Sequence, residues 1–417
     1  MMVGSVCGVL ESVAQENDVN YDESKVKVEN LPDLLVNAAG EKIDSSSQWD
    51  EQRRFLVNQL AEYEFGFAPT EPSQVKFELA KEGTLQSSKI RFREFDISLA
   101  RNGKQHRMGL ILFLPESDEQ IRGCFLMPNF QGNHALSGDP QIRITESWMR
   151  EGKDSGVVKN KATEESRGKE SQRAPIELIT GRGYALASIY YGDIDPDFDD
   201  GFENGVHALY PEYRCDAEHP NRWGTIAGWT WGLSRCADCL LQLKEVPKYR
   251  LAVIGHSRLG KTALWAGATD PRFTLVIANE SGEGGAALAR RNFGETMKRI
   301  NTMFPHWFND NFPKYSDDPS KLPVDQHMLV AAIAPRPVYI ASAANDRWAD
   351  PKGEFTSAYL AGAAYQLLGK KGIESNLMPA EGASVGDCVG YHCRPGDHDL
   401  LDVDWKHYLN FTDRHWK

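Results

Sequence analysis

Residues 251–268, LAVIGHSRLGKTALWAGA, constrain the fold more than any other stretch of this chain. An apolar strand, LAVI, runs into the tight turn Gly255-His256-Ser257, and RLGKTALWAGA leaves it at helical spacing. A turn of this kind exposes the serine hydroxyl at the carboxyl end of a sheet, with the free N–H groups of a helix start behind it. Gly255 leaves room for the turn, and Gly260 lets the helix approach the strand. The pattern departs from the usual G-x-S-x-G, because the second glycine follows Ser257 by three residues rather than two. Arg258 takes the place after the serine, where its backbone N–H and its guanidinium are both candidate donors to an oxyanion.

The flanking pattern says what sheet this turn belongs to. Residues 48–66 carry apolar positions at helical spacing up to a C-capping Gly66, and SKIRFREFDISL, RMGLILFLP and GCFLMPNF read as strands. PIELITGRGYALASIYY reads as helix, glycine turn and strand, and GTIAGWTWGLSRCADCLLQL as a long apolar helix. TLVIANE, PVYIASA and SNLMPA are three further short apolar strands. Alternating strands and helices of this composition imply an α/β class with a mostly parallel central sheet flanked by helices, and the serine turn at its carboxyl end makes the α/β-hydrolase fold with surface insertions the expectation. Residues 1–45 are expected as an irregular arm and 46–417 as one catalytic domain. A Lys-, Glu- and Ser-rich insertion around 149–173 is expected to be solvated.

Charge and cysteines narrow the function. Lys and Arg number 47 against 59 Asp and Glu, a net charge of −12, which argues against nucleic acid and an anionic membrane as partners. No apolar run is long enough to span a membrane, and the opening MMVGSVCGVLESVAQEN lacks the basic leader of a secretion signal. Cys236 and Cys239 form a lone CxxC on a helix and are expected to be buried and unbridged, with no metal bound. Asp193, Asp195, Asp197 and Asp199 alternate in a way that suggests calcium, but Phe198 and Asn204 stand where an EF-hand needs Gly and Glu. They are expected on an acidic surface or cleft rim.

A serine at such a turn needs a base and an acid, in the chain order Ser, Asp or Glu, His. Two histidines, His392 and His398, follow SNLMPA, and His398 in GDHDLL suits a loop reaching back over the sheet. Two carboxylates compete to orient it: Asp346 after PVYIASA and Glu280 at the end of TLVIANE. Asp350, ahead of Pro351, reads as a helix cap.

With these residues in place, the chain resembles the glucuronoyl esterases of carbohydrate esterase family 15, particularly their bacterial branch. The similarity lies in GHSRLGK, ANESGEGGAAL, NDRWADPKGEF and GYHCRPGDHDLLDVDW, and extends to NYDESKV and GDIDPDFDDGFENGVHALY. The resemblance implies a serine esterase, a carboxylic ester hydrolase of the 4-O-methyl-glucuronoyl methylesterase type, cleaving esters between 4-O-methyl-glucuronic acid groups of xylan and lignin alcohols. It implies Ser257 as nucleophile, His398 as base, Glu280 or Asp346 as acid and Arg258 as oxyanion stabiliser. Lys261, Glu295 and Trp348 would hold the sugar ring. No cofactor or metal is implied, a monomer is expected, and the family points to a secreted or periplasmic protein. Another carbohydrate esterase, such as an acetyl-xylan esterase, is the nearest alternative, and a silent polysaccharide-binding relative the next.

Overall fold

The computed structural model describes residues 19–416 apart from 29, 71–72 and 117–120, so the opening leader stretch and Cys7 lie outside the described residues. Ten strands form the main sheet. In chain order they are β1 (Gln74–Thr84), β2 (Arg91–Arg101), β3 (Lys104–Leu114), β4 (Gly123–Asn129), β5 (Tyr184–Tyr190), β6 (Leu251–His256), β7 (Phe273–Asn279), β8 (Val338–Ala343), β9 (Ser384–Val385) and β10 (Val389–Arg394). Across the sheet the order is β9-β10-β8-β7-β6-β4-β5-β3-β2-β1. The six strands from β10 to β5 run parallel, and antiparallel pairings join β1, β2, β3 and β5 at one end and β9 to β10 at the other.

Strand chemistry explains the two covered faces. In β6, Leu251 and Val253 enter one apolar cluster while Ala252 and Ile254 enter the other. That alternation is the two-residue period of a pleated strand buried on both sides. The first face carries α1 (Trp49–Leu60), α2 (Thr225–Leu240), α3 (Arg258–Thr269) and α4 (Pro351–Leu367), and the second carries α5 (Asp402–His415), whose Trp405, Tyr408 and Phe411 pack on Phe125 and Tyr339. Cys236 and Cys239 are buried on α2 and unbridged. Among the described residues no helix is long and apolar enough to cross a membrane.

Two expectations need correction. SNLMPA is not a strand: Leu377 is 76% exposed, and the parallel sheet ends instead on β10, VGYHCR. Polar His392 and Arg394 hid β10 from the hydrophobic pattern, although all six of its residues are buried. The acidic run is not all surface either, since Asp193, Asp195 and Asp197 are buried and only Asp199 of the four is exposed. Residues 149–173 hold a short hairpin, Val157–Val158 against Lys161–Ala162. From this segment Glu170 accepts the N–H of Phe130 at 3.1 Å, and Arg173 pairs with Asp399 at 2.8 Å.

The close approach of α3 to β6 sets up the site. A Cβ on Gly255 would lie 1.9 Å from the Leu259 carbonyl oxygen, a backbone atom that cannot yield. Gly255→Ala is therefore expected to destabilise the fold by about 3 kcal/mol or more. Chemical denaturation checks this, and an unchanged midpoint would contradict the packing described.

Candidate active site

Loops at the sheet's carboxyl edge bring Ser257, Glu280, Asp346 and His398 together. Ser257, between β6 and α3, has φ 56° and ψ −129°, a conformation costing an L-residue of order 1–3 kcal/mol. Its backbone is held on both sides: its N–H donates to Asn279 O at 2.9 Å, and its carbonyl accepts from Gly260 N at 2.8 Å. His256 Nδ1 lies 2.6 Å from Asn279 Oδ1, and Asn279 Nδ2 donates to Tyr408 at 3.0 Å, so the turn is braced through the core. Glu280, immediately after β7, is also left-handed at φ 48°.

His398 sits in the loop between β10 and α5. Its ring lies 4.5 Å, centroid to centroid, from that of His256, the neighbour of Ser257. Its Nδ1 is 2.6 Å from Asp346 Oδ2 and 3.1 Å from Glu280 Oε2, which leaves Nε2 as the nitrogen for chemistry. Both candidate acids therefore meet the same nitrogen, with Asp346 nearer. Burial disfavours the imidazolium, but the hydrogen bonds to Asp346 and Glu280 outweigh it and raise the pKa to about 9. Glu280 is pushed up to about 7 by burial, against the opposing pull of His398 and Arg394.

His392 lies apart from this group. It is buried in β10 between Tyr339 at 3.1 Å and Asp404 at 2.9 Å, a core histidine satisfied at both nitrogens. Asp350 starts α4 and is paired with Arg291 at 2.7 Å.

Several residues that shape the site escaped the sequence reading. Arg394, 1% exposed, donates to Glu280 at 2.8 Å, to Asp404 at 3.0 Å and to the carbonyls of Pro395, Asp397 and Asp399 at 2.7–3.1 Å. It thereby folds the histidine loop around one guanidinium. Glu354 of α4 accepts from Ser281 N at 2.7 Å and Gly282 N at 3.0 Å, fixing the loop after Glu280. Asp197 accepts from His306 at 3.0 Å, Trp307 at 2.8 Å and Tyr191 at 3.1 Å, and pairs directly with Arg258. Asp197 reads as part of an acidic surface from the sequence because Arg258, His306 and Trp307, which bury it, are all remote along the chain.

Arg258 is thus pinned with its guanidinium 4.8 Å from the Trp307 ring and 5.3 Å from Phe304. Burial disfavours its charge, and the Asp197 carboxylate more than compensates. Lys261, buried on α3, donates to Ser281 O at 2.5 Å, and burial pulls its pKa down against the raising influence of Glu295 and Glu283. Glu295 is buried within electrostatic reach of Lys261, Arg258 and His398, and burial raises its pKa. Trp348, 37% exposed, opens to the surface from the turn that follows Asp346. These loops thus gather an imidazole bearing two carboxylates, a strained serine, a buried lysine and a half-buried arginine, a buried carboxylate and an open indole.

One group among the described residues has metal-compatible spacing, His256, Glu280 and His398, with ligand atoms within 4.8 Å of one another. Nδ1 of His256 and Nδ1 of His398 are already engaged by Asn279 and by the two carboxylates. The arrangement suits proton transfer rather than a closed metal site.

Comparison with known proteins agrees with this chemistry. The family model described as glucuronyl esterase, fungi, matches residues 200–369. The chain is 47% identical over 407 residues to the carbohydrate esterase MZ0003 of an unknown prokaryotic organism, spanning 96% of this chain and 93% of that protein. It is 32% identical over 190 residues to a 4-O-methyl-glucuronoyl methylesterase 1 from Wolfiporia cocos, spanning 43% of this chain and 46% of that protein. Among solved structures, a promiscuous CE15 esterase from the marine bacterial metagenome superposes with a TM-score of 0.89 at 44% identity, covering 95% of this chain and all of that one. With that likeness running through nearly the whole chain, this protein belongs to carbohydrate esterase family 15, the glucuronoyl esterases.

Proposed function

We propose that this chain hydrolyses esters of 4-O-methyl-D-glucuronic acid, the linkage between glucuronoxylan and lignin alcohols, through an acyl-enzyme on Ser257. One observation carries the reading: an imidazole nitrogen gripped by Asp346 and Glu280, one ring away from a serine held at φ 56°.

His398 Nε2 takes the Ser257 proton as Oγ attacks the uronate carbonyl. Asp346 and Glu280 hold the ring's orientation and stabilise the imidazolium that forms. The oxyanion is met by the Arg258 backbone N–H and by its guanidinium, which Asp197 keeps in place. His398 then protonates the departing alcohol, and a water activated by the same nitrogen releases the glucuronate. The acyl group carries a sugar ring with vicinal hydroxyls. Lys261 has N–H donors beyond the one given to Ser281, Glu295 supplies the complementary acceptor, and Trp348 supplies an indole N–H and a flat apolar face. An acetyl group would use none of these three, which favours a uronate over an acetylated xylan. The polymer that bears this group lies outside the cell, and we assign the protein to a secreted or periplasmic setting, acting as a monomer.

Ser257→Ala is expected to reduce cleavage of benzyl 4-O-methylglucuronate by about 10⁴-fold or more while leaving the thermal midpoint near wild type. Retained turnover would sink the mechanism. Lys261→Ala and Glu295→Ala should raise KM for the uronate ester far more than for p-nitrophenyl acetate. Equal effects on both would move the substrate to another carbohydrate ester.

The pH profile follows from the same geometry. Attack needs neutral His398, and the two carboxylates raise its pKa to about 9, so activity rises with pH along a limb above the ordinary imidazole range. Asp346→Asn removes the nearer anion, destabilises the imidazolium and moves that limb to lower pH, while lowering the plateau kcat by about 10²-fold. Glu280→Gln should move it less, since Arg394 already offsets that carboxylate. A limb unmoved in both variants would remove His398 from its role.

A further inference from the structure

Residues 20–26, NYDESKV, are exposed at 21–25 and half-buried at Asn20 and Val26, and take no part in the chemistry above. Where they run is informative. Val19 and Asn20 pair antiparallel with Glu295 and Gly294, so Val19 stands directly across from Glu295. Asn20 Nδ2 donates to Asn292 O at 3.2 Å, and the Tyr21 ring meets Phe293 edge-on at 6.1 Å. These contacts all fall on the loop that carries Glu295.

The same segment also grips the loop that carries Trp348. The Arg347 guanidinium sits 5.0 Å from the Tyr21 centroid and 5.5 Å from that of Phe293, and it donates to the Tyr21 carbonyl. Glu23 bridges Lys352 at 2.5 Å and Arg291 at 2.9 Å, and Arg291 reaches on to Asp350 at 2.7 Å. Beneath this the two loops touch without any spacer: a Cβ on Gly294 would lie 2.4 Å from the carbonyl oxygens of both Arg347 and Trp348. Two loops from distant parts of the chain are pressed together there, and a third segment crosses both.

We infer that residues 19–25 are a strap that sets the spacing between Glu295 and Trp348, making Tyr21 and Glu23 positioning residues for the acyl sugar. The inference rests on the reading of those two side chains as sugar contacts. A two-residue strand pairing is marginal by itself, so the strap's hold depends on Tyr21 and on the Glu23 ion pairs. Glu23 is 44% exposed, and salt weakens exposed pairs. The sugar contacts therefore loosen with ionic strength, while Ser257, His398 and Asp346, tied into the sheet and the core, keep their geometry.

Kinetics of the full chain test this with two substrates, benzyl 4-O-methylglucuronate and p-nitrophenyl acetate. Tyr21→Ala with Glu23→Gln is expected to raise KM for the uronate by about 10-fold, since small misplacement of contact groups carries effects of that order or larger. The acetate rate should stay within about twofold of wild type by the same reasoning. Tyr21→Phe keeps ring and backbone and should restore the uronate KM. In wild type, added salt should raise the uronate KM, and Glu23→Gln should remove most of that dependence. Glu295→Ala serves as the reference. If it raises the uronate KM while the strap variants do not, the strap is overturned and the sugar reading stands. If Glu295→Ala itself has no effect, the sugar reading falls and takes the strap with it. If the strap variants lower both activities in step with a lower thermal midpoint, the segment only supports the fold and the inference is overturned.

Discussion

The buried guanidinium of Arg394 is the interaction on which the rest of this site depends. Three carboxylates, Glu280, Asp346 and Asp404, converge near the start of α5, and two of them take hydrogen bonds from that one side chain. Its remaining donors go to three carbonyls of the loop that presents His398. Removing such a group leaves uncompensated buried charge, an effect of about 3–5 kcal/mol in comparable pairs. The same contacts that offset Glu280 also shape the loop, so charge balance and geometry are one problem with one solution. His398 can then hold two acids on a single nitrogen without either being stranded.

The Ser257 side solves a matching problem with opposite sign. Ser257 must be strained to stand clear of the strand, and Asn279, Gly260 and the absence of a side chain on Gly255 hold it there. Arg258 must keep a cation in a cleft of an acidic protein, and buried Asp197 with its ring of Tyr191, His306 and Trp307 fixes that cation in one place. Both halves use buried, paired charges to preorganise groups at the sheet's carboxyl edge, where low solvent access strengthens each interaction.

Much of this was legible in the sequence because it follows local rules. The strand–turn–helix around Ser257, the apolar strands and the glycines at close approach all leave periodic or positional marks. His398 is preferred over His392 on loop context together with the family resemblance, and both acids are nameable because Glu280 and Asp346 closely follow strands. What stayed hidden depends on contacts distant in sequence. Asp197 meets Arg258 across 61 residues and Arg394 meets Glu280 across 114, separations at which a lone Asp or Arg looks like any surface charge. β10 was missed because its polar His392 and Arg394 break the apolar run, although Asp404 and the distant Glu280 bury and pair them.

The central claim is that a glucuronoyl group passes through Ser257. A phenyl ester of 4-O-methylglucuronic acid has a good leaving group, so acylation outpaces deacylation and the intermediate accumulates. Rapid-quench mass spectrometry of wild-type protein with this ester, followed by peptide mapping, reads it directly. The account predicts a glucuronoyl adduct on the peptide bearing Ser257, with none in Ser257→Ala. Turnover of the ester without that adduct, or an adduct on another residue, would contradict it.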